Sequence, residues 1–354
     1  MRLLILTAIA IAQMAFLVAM FFFLVGRRLA DAQRLRRRAS ERAQLLARMG
    51  EVLAGAVPPE AFVRMLPRRR AGMVTAVLQQ GGTQVRGEAW ERLVAAVRGS
   101  EWYRQVLASR ARSPWWWRRL VAARLLSIVG DEQDLPHGMR LAADRHPGVR
   151  LAAVQLVRRL PDPKLVESVL EQGIRAPRVV RQHYFDVLTS VRELLAPVLV
   201  RRLDAPRDSY ELRAMLNLAG DLAAPELMDR LLAHVASPSA DARTQVARAL
   251  GHYPHPCARD ALVSLLGDPE WEVRTQAAAS LGAIHATDAR EPLRQALSDM
   301  SWWVRLRAAI ALRQQGEGGA QLLRQARGGA DRFAAEMAGY VLGLSEDAVA
   351  DHAA

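Results

Sequence analysis

The amino-acid sequence predicts an all-α fold, an α-solenoid of helical hairpins preceded by one transmembrane helix. Two observations support this prediction. A motif of about 31 residues recurs along most of the chain, and an uncharged apolar run of 23 residues, Leu3 to Val25, stands at the N-terminus. A repeat of this length is typical of solenoids, propellers and arrays, and the content of each unit decides among them.

The apolar run is long enough to cross a bilayer. A helix rises about 1.5 Å per residue, so 23 residues cover the hydrocarbon core of about 30 Å. A cleaved signal peptide is the alternative, but its apolar part is shorter, and Phe21, Phe22 and Phe23 lack the small side chains of a cleavage site. We therefore expect residues 1–26 to form a transmembrane helix.

An arginine-rich segment follows the run. Residues 27–70 carry twelve arginines and four acidic residues. Because positive charge flanks membrane helices on the cytoplasmic side, we expect the N-terminus outside and the rest of the chain in the cytoplasm. The preference for arginine over lysine is typical of a GC-rich bacterial genome, so the membrane would be a bacterial inner membrane. The residues expected to contact its anionic lipid surface are Arg27, Arg28, Arg34, Arg36, Arg37, Arg38 and Arg42.

A column of arginines marks the repeat. Successive members stand 30 to 33 residues apart, and the positions three and seven residues after each are apolar or glycine. This spacing is helical, and a second short apolar helix follows in each unit, so each unit is a hairpin that needs neighbours to bury its apolar face. The marker positions are Arg86, Arg119, Arg150, Arg181, Arg213, Arg243, Arg274, Arg305 and, in the last unit, Glu336.

These units resemble HEAT repeats, in particular the short variety with Asp-Pro-x-x-x-Val-Arg followed by Ala-Ala and Leu-Gly, which the bilin lyases share. The resemblance is closest at 147–150, 268–282 and 299–312. It implies about nine repeats over residues 83–344, with each marker arginine bonded to turn groups of a neighbouring repeat. Residues 27–82 would then form a basic juxtamembrane helix and an N-terminal cap, and residues 345–354 a polar tail.

Large aromatic residues stand three positions before several markers. They could wedge between neighbouring helices, or they could contact a partner or a membrane, since tryptophan is frequent in interface hot spots and in membrane interfaces. The segment 115–117 is the strongest candidate, because one helix face cannot bury three consecutive side chains. The candidate partner-binding residues are Trp115, Trp116, Trp117, Trp271, Trp302 and Trp303.

Signatures of catalysis are missing from the sequence. It has no glycine-rich phosphate loop, and His252, His255 and Cys257 do not have the ligand number and spacing of a zinc site. The HEAT-like di-iron hydroxylases take their ligands from repeated His-Glu steps, and this sequence has no His-Glu pair. We expect no metal, no cofactor and no enzymatic activity. With one cysteine, no intrachain disulfide is possible, and a reducing compartment is expected.

The charge distribution bears on the class of partner. The net charge is +13, but residues 71–354 carry 36 basic and 32 acidic side chains, so the array is nearly balanced, which weighs against nucleic acid as a partner. We therefore expect a membrane-anchored, non-catalytic scaffold or adaptor that binds a protein partner, such as an accessory subunit of a machine for envelope polymers or polysaccharide. The alternative is a HEAT-like enzyme or nucleic-acid-binding protein, similar to a lyase or a DNA glycosylase.

Overall fold

The computed structural model describes residues 2–67, 70–85, 87–206 and 208–353; the side chains of residues 2–13, 15–19, 22 and 353 lie outside this description. The described residues form α-helices, short 3-10 helices and turns, and none of them lies in a strand. The all-α prediction is therefore confirmed for this part of the chain. The chain divides into two compact units, the first ending at Arg159 and the second beginning at Leu160.

The first unit is built around a helix much longer than the others. Its helices are α1 (Arg2–Leu53), α2 (Pro59–Val63), α3 (Ala71–Gln84), α4 (Glu88–Gly99), α5 (Glu101–Arg110), α6 (Trp116–Val129), α7 (Leu135–Ala142), α8 (Pro147–Val154) and α9 (Leu156–Arg159).

The second unit contains the most regular hairpins. Its helices are α10 (Pro163–Ile174), α11 (Arg178–Leu188), α12 (Arg192–Asp204), α13 (Ser209–Leu222), α14 (Met228–Ala233), α15 (Ala240–Leu250), α16 (Pro256–Leu265), α17 (Trp271–Ala283), α18 (Arg290–Gln295), α19 (Trp302–Gln314), α20 (Glu317–Arg327), α21 (Arg332–Leu342) and α22 (Glu346–Ala353).

Helix α1 continues without a break from the predicted span through the basic segment. Near its C-terminal end Leu45, Met49 and Val52 are buried at helical spacing, and there the helix packs on α2, α3 and α4. Among the residues whose side chains are described, no helix is long and apolar enough to cross a membrane. The predicted span, Leu3 to Val25, falls largely outside those residues. The transmembrane anchor therefore stays a prediction.

Small residues set the distance between neighbouring hairpins. The third position after the marker is alanine in many units, and Ala277 and Ala308 are fully buried. Helices α17 and α19 approach so closely that a Cβ placed on Gly282 would lie 3.0 Å from the Cα of Ala311. The first helices of consecutive hairpins therefore pack through alanine and glycine, and larger side chains do not fit there.

We expect Ala308→Leu to destabilise the chain, because the added carbons have no space between α17 and α19. Overpacking of this kind costs about 1–3 kcal/mol. Thermal unfolding of the full chain in detergent measures the effect. The matched control is Ala283→Leu, the same substitution at an exposed position of α17. Equal melting temperatures for the two variants would contradict the assigned packing faces.

Candidate functional site

The marker arginine of one hairpin binds the turn that opens the next hairpin. In the first unit, Arg119 donates through Nε and Nη2 to the two carboxylate oxygens of Asp144, at 2.6 and 2.8 Å. Its Nη1 donates to the carbonyl oxygens of Ser113 and Pro114, at 2.8 and 2.9 Å. The two parallel hydrogen bonds form the bidentate geometry in which arginine and carboxylate bind most strongly.

The same bridge occurs twice in the second unit. Arg243 binds the two oxygens of Asp268 at 2.6 and 2.9 Å. Arg274 binds those of Asp299 at 2.7 and 2.9 Å. In each bridge the aspartate follows its arginine by 25 residues. The bond to a neighbouring turn that the resemblance implied is therefore present, and the marker arginine has a structural role.

Marker arginines that are not followed by an aspartate 25 residues later bind other groups. Arg181 donates to the hydroxyl oxygen of Tyr210 at 2.5 Å, and Arg213 pairs with Asp241 at 3.3 Å. Arg305, the last arginine of the column, has its guanidinium 5.1 Å from the ring centre of Phe333, which is a cation–π distance. Arg86 lies outside the described residues.

The bridges change the acidity of the aspartates. Burial alone would raise the pKa of Asp144, but hydrogen bonds from Arg119 and from the backbone N–H of His146 outweigh burial and lower it. The pKa values of Asp268 and Asp299 are lowered in the same way, against burial, by Arg243 and Arg274. Each carboxyl group therefore stays ionised at a lower pH in the folded protein than in the unfolded chain.

Five large apolar side chains in the second unit are exposed at the beginnings of consecutive first helices or, in the case of Met300, in the turn just before one. We call Trp271, Met300, Trp302, Trp303 and Phe333 the aromatic ridge. Their exposed fractions range from 41% at Trp271 to 97% at Met300. The rings of Trp302 and Trp303 meet edge to face, with centres 4.8 Å apart. Contact with neighbouring helices therefore accounts for only part of each aromatic side chain.

The bridging aspartates hold the turns that present this ridge. Asp268 accepts the backbone N–H of Glu270 at 2.9 Å, and Asp299 accepts that of Ser301 at 2.7 Å. Helices α17 and α19 begin at the next residue, which is a tryptophan in both. Because helical side chains tilt toward the N-terminus of their helix, the partly exposed indoles of Trp271 and Trp302 lie at this end of their hairpins.

A second exposed aromatic group lies in the first unit. We call Trp115, Trp116, Trp117 and His146 the tryptophan cluster. The ring of Trp115 stacks on that of Trp117 with centres 4.8 Å apart, and Trp116 stacks on His146 at 4.1 Å. The three tryptophans are 40–52% exposed. They line a groove of about 940 Å³.

Six arginines of the second helices are engaged with acidic neighbours. Arg230 pairs with Asp204 at 2.5 Å, and Arg259 lies between Asp260 and Asp288, at 2.8 and 2.6 Å. The members with an acidic partner are Arg201, Arg202, Arg230, Arg259, Arg294 and Arg324. Their positive charge is balanced locally, which gives a mixed surface and not a basic one.

The arginines expected at the membrane surface lie along the exposed part of α1. Arg27 and Arg34 stand 4.0 and 3.5 Å from Asp31, and Arg42 donates to the side-chain oxygen of Gln80 at 3.0 Å. The full group, Arg27, Arg28, Arg34, Arg36, Arg37, Arg38 and Arg42, is exposed.

The histidine and cysteine loop has a local structural role. Nδ1 of His255 accepts the backbone N–H of Cys257 at 3.2 Å and so caps α16. His146 caps α8 in the same way through Gly148. Within the described residues, no three His, Cys, Asp or Glu side chains are placed to hold one metal ion.

Comparison with known proteins supports the HEAT family for the second unit. A model of HEAT repeats matches residues 195–280, 224–313 and 260–343. No curated protein is significantly similar in sequence. Among solved structures, YibA of Escherichia coli is 16% identical, with 69% of this chain and 96% of that chain covered and a TM-score of 0.36.

Two further solved structures show similarly low scores. Human deoxyhypusine hydroxylase in complex with glycerol is 18% identical, with 78% of this chain and 98% of that chain covered and a TM-score of 0.31. Kap121p is 15% identical, with 80% and 42% covered and a TM-score of 0.36.

We expect the Asp268 bridge to stabilise the protein in a pH-dependent manner. The pKa of Asp268 is lowered on folding, so the bridge contributes fully above about pH 5 and is lost as the pH falls through that lowered pKa. Asp268→Asn should reduce the free energy of unfolding at neutral pH by about 1.5–3 kcal/mol, as for hydrogen bonds between charged groups.

Chemical denaturation of wild type and variant between neutral and acidic pH measures this difference. The difference in free energy of unfolding between wild type and Asp268→Asn should become smaller below about pH 4. The control is Asp260→Asn, which removes a carboxylate of an exposed pair and should change the free energy by less than about 0.5 kcal/mol. A gap for Asp268→Asn that is the same at all pH values would contradict the assignment.

Proposed function

We propose that this protein is a membrane-anchored, non-catalytic scaffold that binds a protein partner through the aromatic ridge. Solenoids of HEAT repeats are typical of protein-interaction scaffolds. The observation that carries the proposal is the exposure of five large apolar side chains, 41–97% each, at the beginnings of consecutive hairpins. Groups of exposed large apolar side chains mark interaction sites, and tryptophan is enriched among the residues that dominate binding energy.

The position three residues before the marker does not require an aromatic side chain for folding. Other units place Pro147, Arg178 or Ala240 there, and the corresponding first helices α8, α11 and α15 still form. Trp271 and Trp302 therefore add exposed apolar area that hairpin packing does not need. This surplus area supports a role in binding.

The surroundings of Trp271 indicate the charge of the partner at that end of the ridge. Glu270 and Glu272 flank Trp271, and both side chains are exposed. Acidic side chains at the rim favour a partner surface that is apolar in its centre and basic at its edge, because complementary potentials steer association. A basic surface of the array would be needed for nucleic acid, and the local pairing of the second-helix arginines weighs against it.

The anchor in this proposal is the uncharged run from Leu3 to Val25. It is supported by the continuity of α1 from Arg2 to Leu53, which joins the run directly to the packed part of the first unit. The arginines after the run support an array on the cytoplasmic side of a bacterial inner membrane, because positive charge favours the cytoplasmic flank of a membrane helix. An accessory subunit of a machine that makes or exports envelope polymers fits this location.

Co-purification from membranes tests the proposal. The tagged full chain is cross-linked, extracted in detergent and examined for a partner in stoichiometric amount. We expect Trp302→Gln with Trp303→Gln to reduce recovery of that partner more than about tenfold, since hot-spot residues contribute 2 kcal/mol or more. The matched control is Val179→Gln, which removes an exposed apolar side chain elsewhere in the second unit. Absence of a stoichiometric partner, or equal recovery with both variants, would refute the ridge as the binding site.

A further inference from the structure

Helices α1 and α3 run side by side in the same direction. Near the start of α3, Gly72 lines a small groove with Leu35 and Ala39 of α1. Near the end of α3, a Cβ on Gly81 would lie 2.8 Å from the sulfur of Met49. Later residues of α3 therefore lie beside later residues of α1. The beginning of α3 therefore points toward the N-terminal part of α1.

Helix α6 follows the same direction as α3. A Cβ on Gly72 would lie 3.5 Å from Cγ2 of Val121, in the first half of α6. Further along, Gly82 of α3 lines a groove of about 560 Å³ together with Arg124 and Ile128 of α6. The N-terminal turn of α6, which carries Trp116 and Trp117, therefore lies on the side of the first unit from which α1 enters.

The helical rise places this turn near the end of the apolar run. Gly72 approaches Val121 and shares a groove with Ala39, so we infer that Val121 and Ala39 stand at about the same height along α1. Trp117 precedes Val121 by four residues, or about 6 Å, which brings it level with Leu35. The apolar run ends ten residues earlier at Val25, about 15 Å away along α1.

The headgroup layer fills part of that distance. It is about 5–8 Å thick on each side of the hydrocarbon core, which leaves about 7–10 Å between it and the first turn of α6. Side chains in a helix tilt toward its N-terminus, so Trp116 and Trp117, which are both partly exposed, lie at the end of α6 that faces this gap. The average tilt of membrane helices, about 20°, narrows the gap on one side.

The charge around the tryptophan cluster suits an anionic surface. Residues 110–119 and 140–147 contain six arginines and one acidic residue, Asp144. That aspartate is bound by Arg119. The exposed arginines beside the cluster are Arg112, Arg118, Arg140 and Arg145.

From this placement we propose that the tryptophan cluster and its arginines form a second membrane contact, which docks the first unit on the anionic lipid headgroups around the anchor. The inference rests on the anchor of the proposed function. Tryptophan favours the headgroup level of a bilayer, and arginine near the surface is attracted to anionic lipid. The aromatic ridge differs from the cluster in charge, because two acidic residues, Glu270 and Glu272, flank its Trp271.

Quenching of tryptophan fluorescence in vesicles tests the contact. The full chain is reconstituted in vesicles of phosphatidylcholine and phosphatidylglycerol that contain a headgroup spin-labelled lipid. We expect part of the emission to be quenched, and this quenched part to fall at least about twofold in phosphatidylcholine alone, where the attraction of arginine to anionic lipid is absent. Replacing Trp115, Trp116 and Trp117 with Gln should remove most of it, whereas Trp302→Gln with Trp303→Gln should leave it unchanged.

A second variant keeps the test valid if the triple tryptophan variant does not fold. Replacing Arg112, Arg118, Arg140 and Arg145 with Gln retains every indole and removes only exposed charge. It should reduce the quenched part at least about twofold in the anionic vesicles. If both the tryptophan variant and the arginine variant are quenched as much as wild type, the contact is wrong. It is also wrong if an acidic peptide binds the cluster while lipid does not quench the cluster.

Alkaline carbonate extraction separates the two proposals. A chain that resists extraction and shows no quenched cluster retains its anchor and lacks the second contact. A chain that carbonate releases from membranes has no anchor, and both the anchor and the inference then fail.

Discussion

The bridge between a marker arginine and the aspartate of the following turn, present at Arg119, Arg243 and Arg274, is the constraint on which the packing of these hairpins depends. Stability in a repeat protein comes from contacts between neighbouring units, so each interface has to hold one register. Side chains of Arg243 and Asp268 are only 12% and 5% exposed, and those of Arg274 and Asp299 16% and 13%. A shift of register between hairpins would separate the two side chains and leave a partly buried charge without its counter-ion. The bridge therefore favours one register.

One carboxylate performs two tasks in this arrangement. Asp299 binds Arg274 of the preceding hairpin and accepts the backbone N–H that begins the next turn, immediately before α19. The interface between hairpins and the start of the first helix are thereby fixed together. Trp302 and Trp271 therefore take the same place in their repeats, as the first residues of α19 and α17. The regular core thus determines where a binding surface can appear, and the side chains at that position determine what it binds.

Much of the fold could be predicted from the sequence, because the period of the arginine column and the apolar positions after it repeat in register. The partner of the marker was implied only as a turn group. The recurrence of Asp268 and Asp299 six residues before the next marker is a signal that could have identified it. Stacking of Trp116 on His146 could not be predicted, because it depends on the spacing between two turns. The position of the tryptophan cluster relative to α1 could not be predicted either. Helices α1 and α3 precede the repeat, and the period of the repeat does not define how they pack.

A double-mutant cycle on Arg274 and Asp299 tests the account most directly. The free energy of unfolding is measured for wild type, Arg274→Met, Asp299→Asn and the double variant, with the exposed pair Arg294 and Glu291 as the control. The account predicts a coupling of at least about 1.5 kcal/mol between Arg274 and Asp299, and one below about 1 kcal/mol for the exposed pair. Additive effects at Arg274 and Asp299, within about 0.5 kcal/mol, would contradict it.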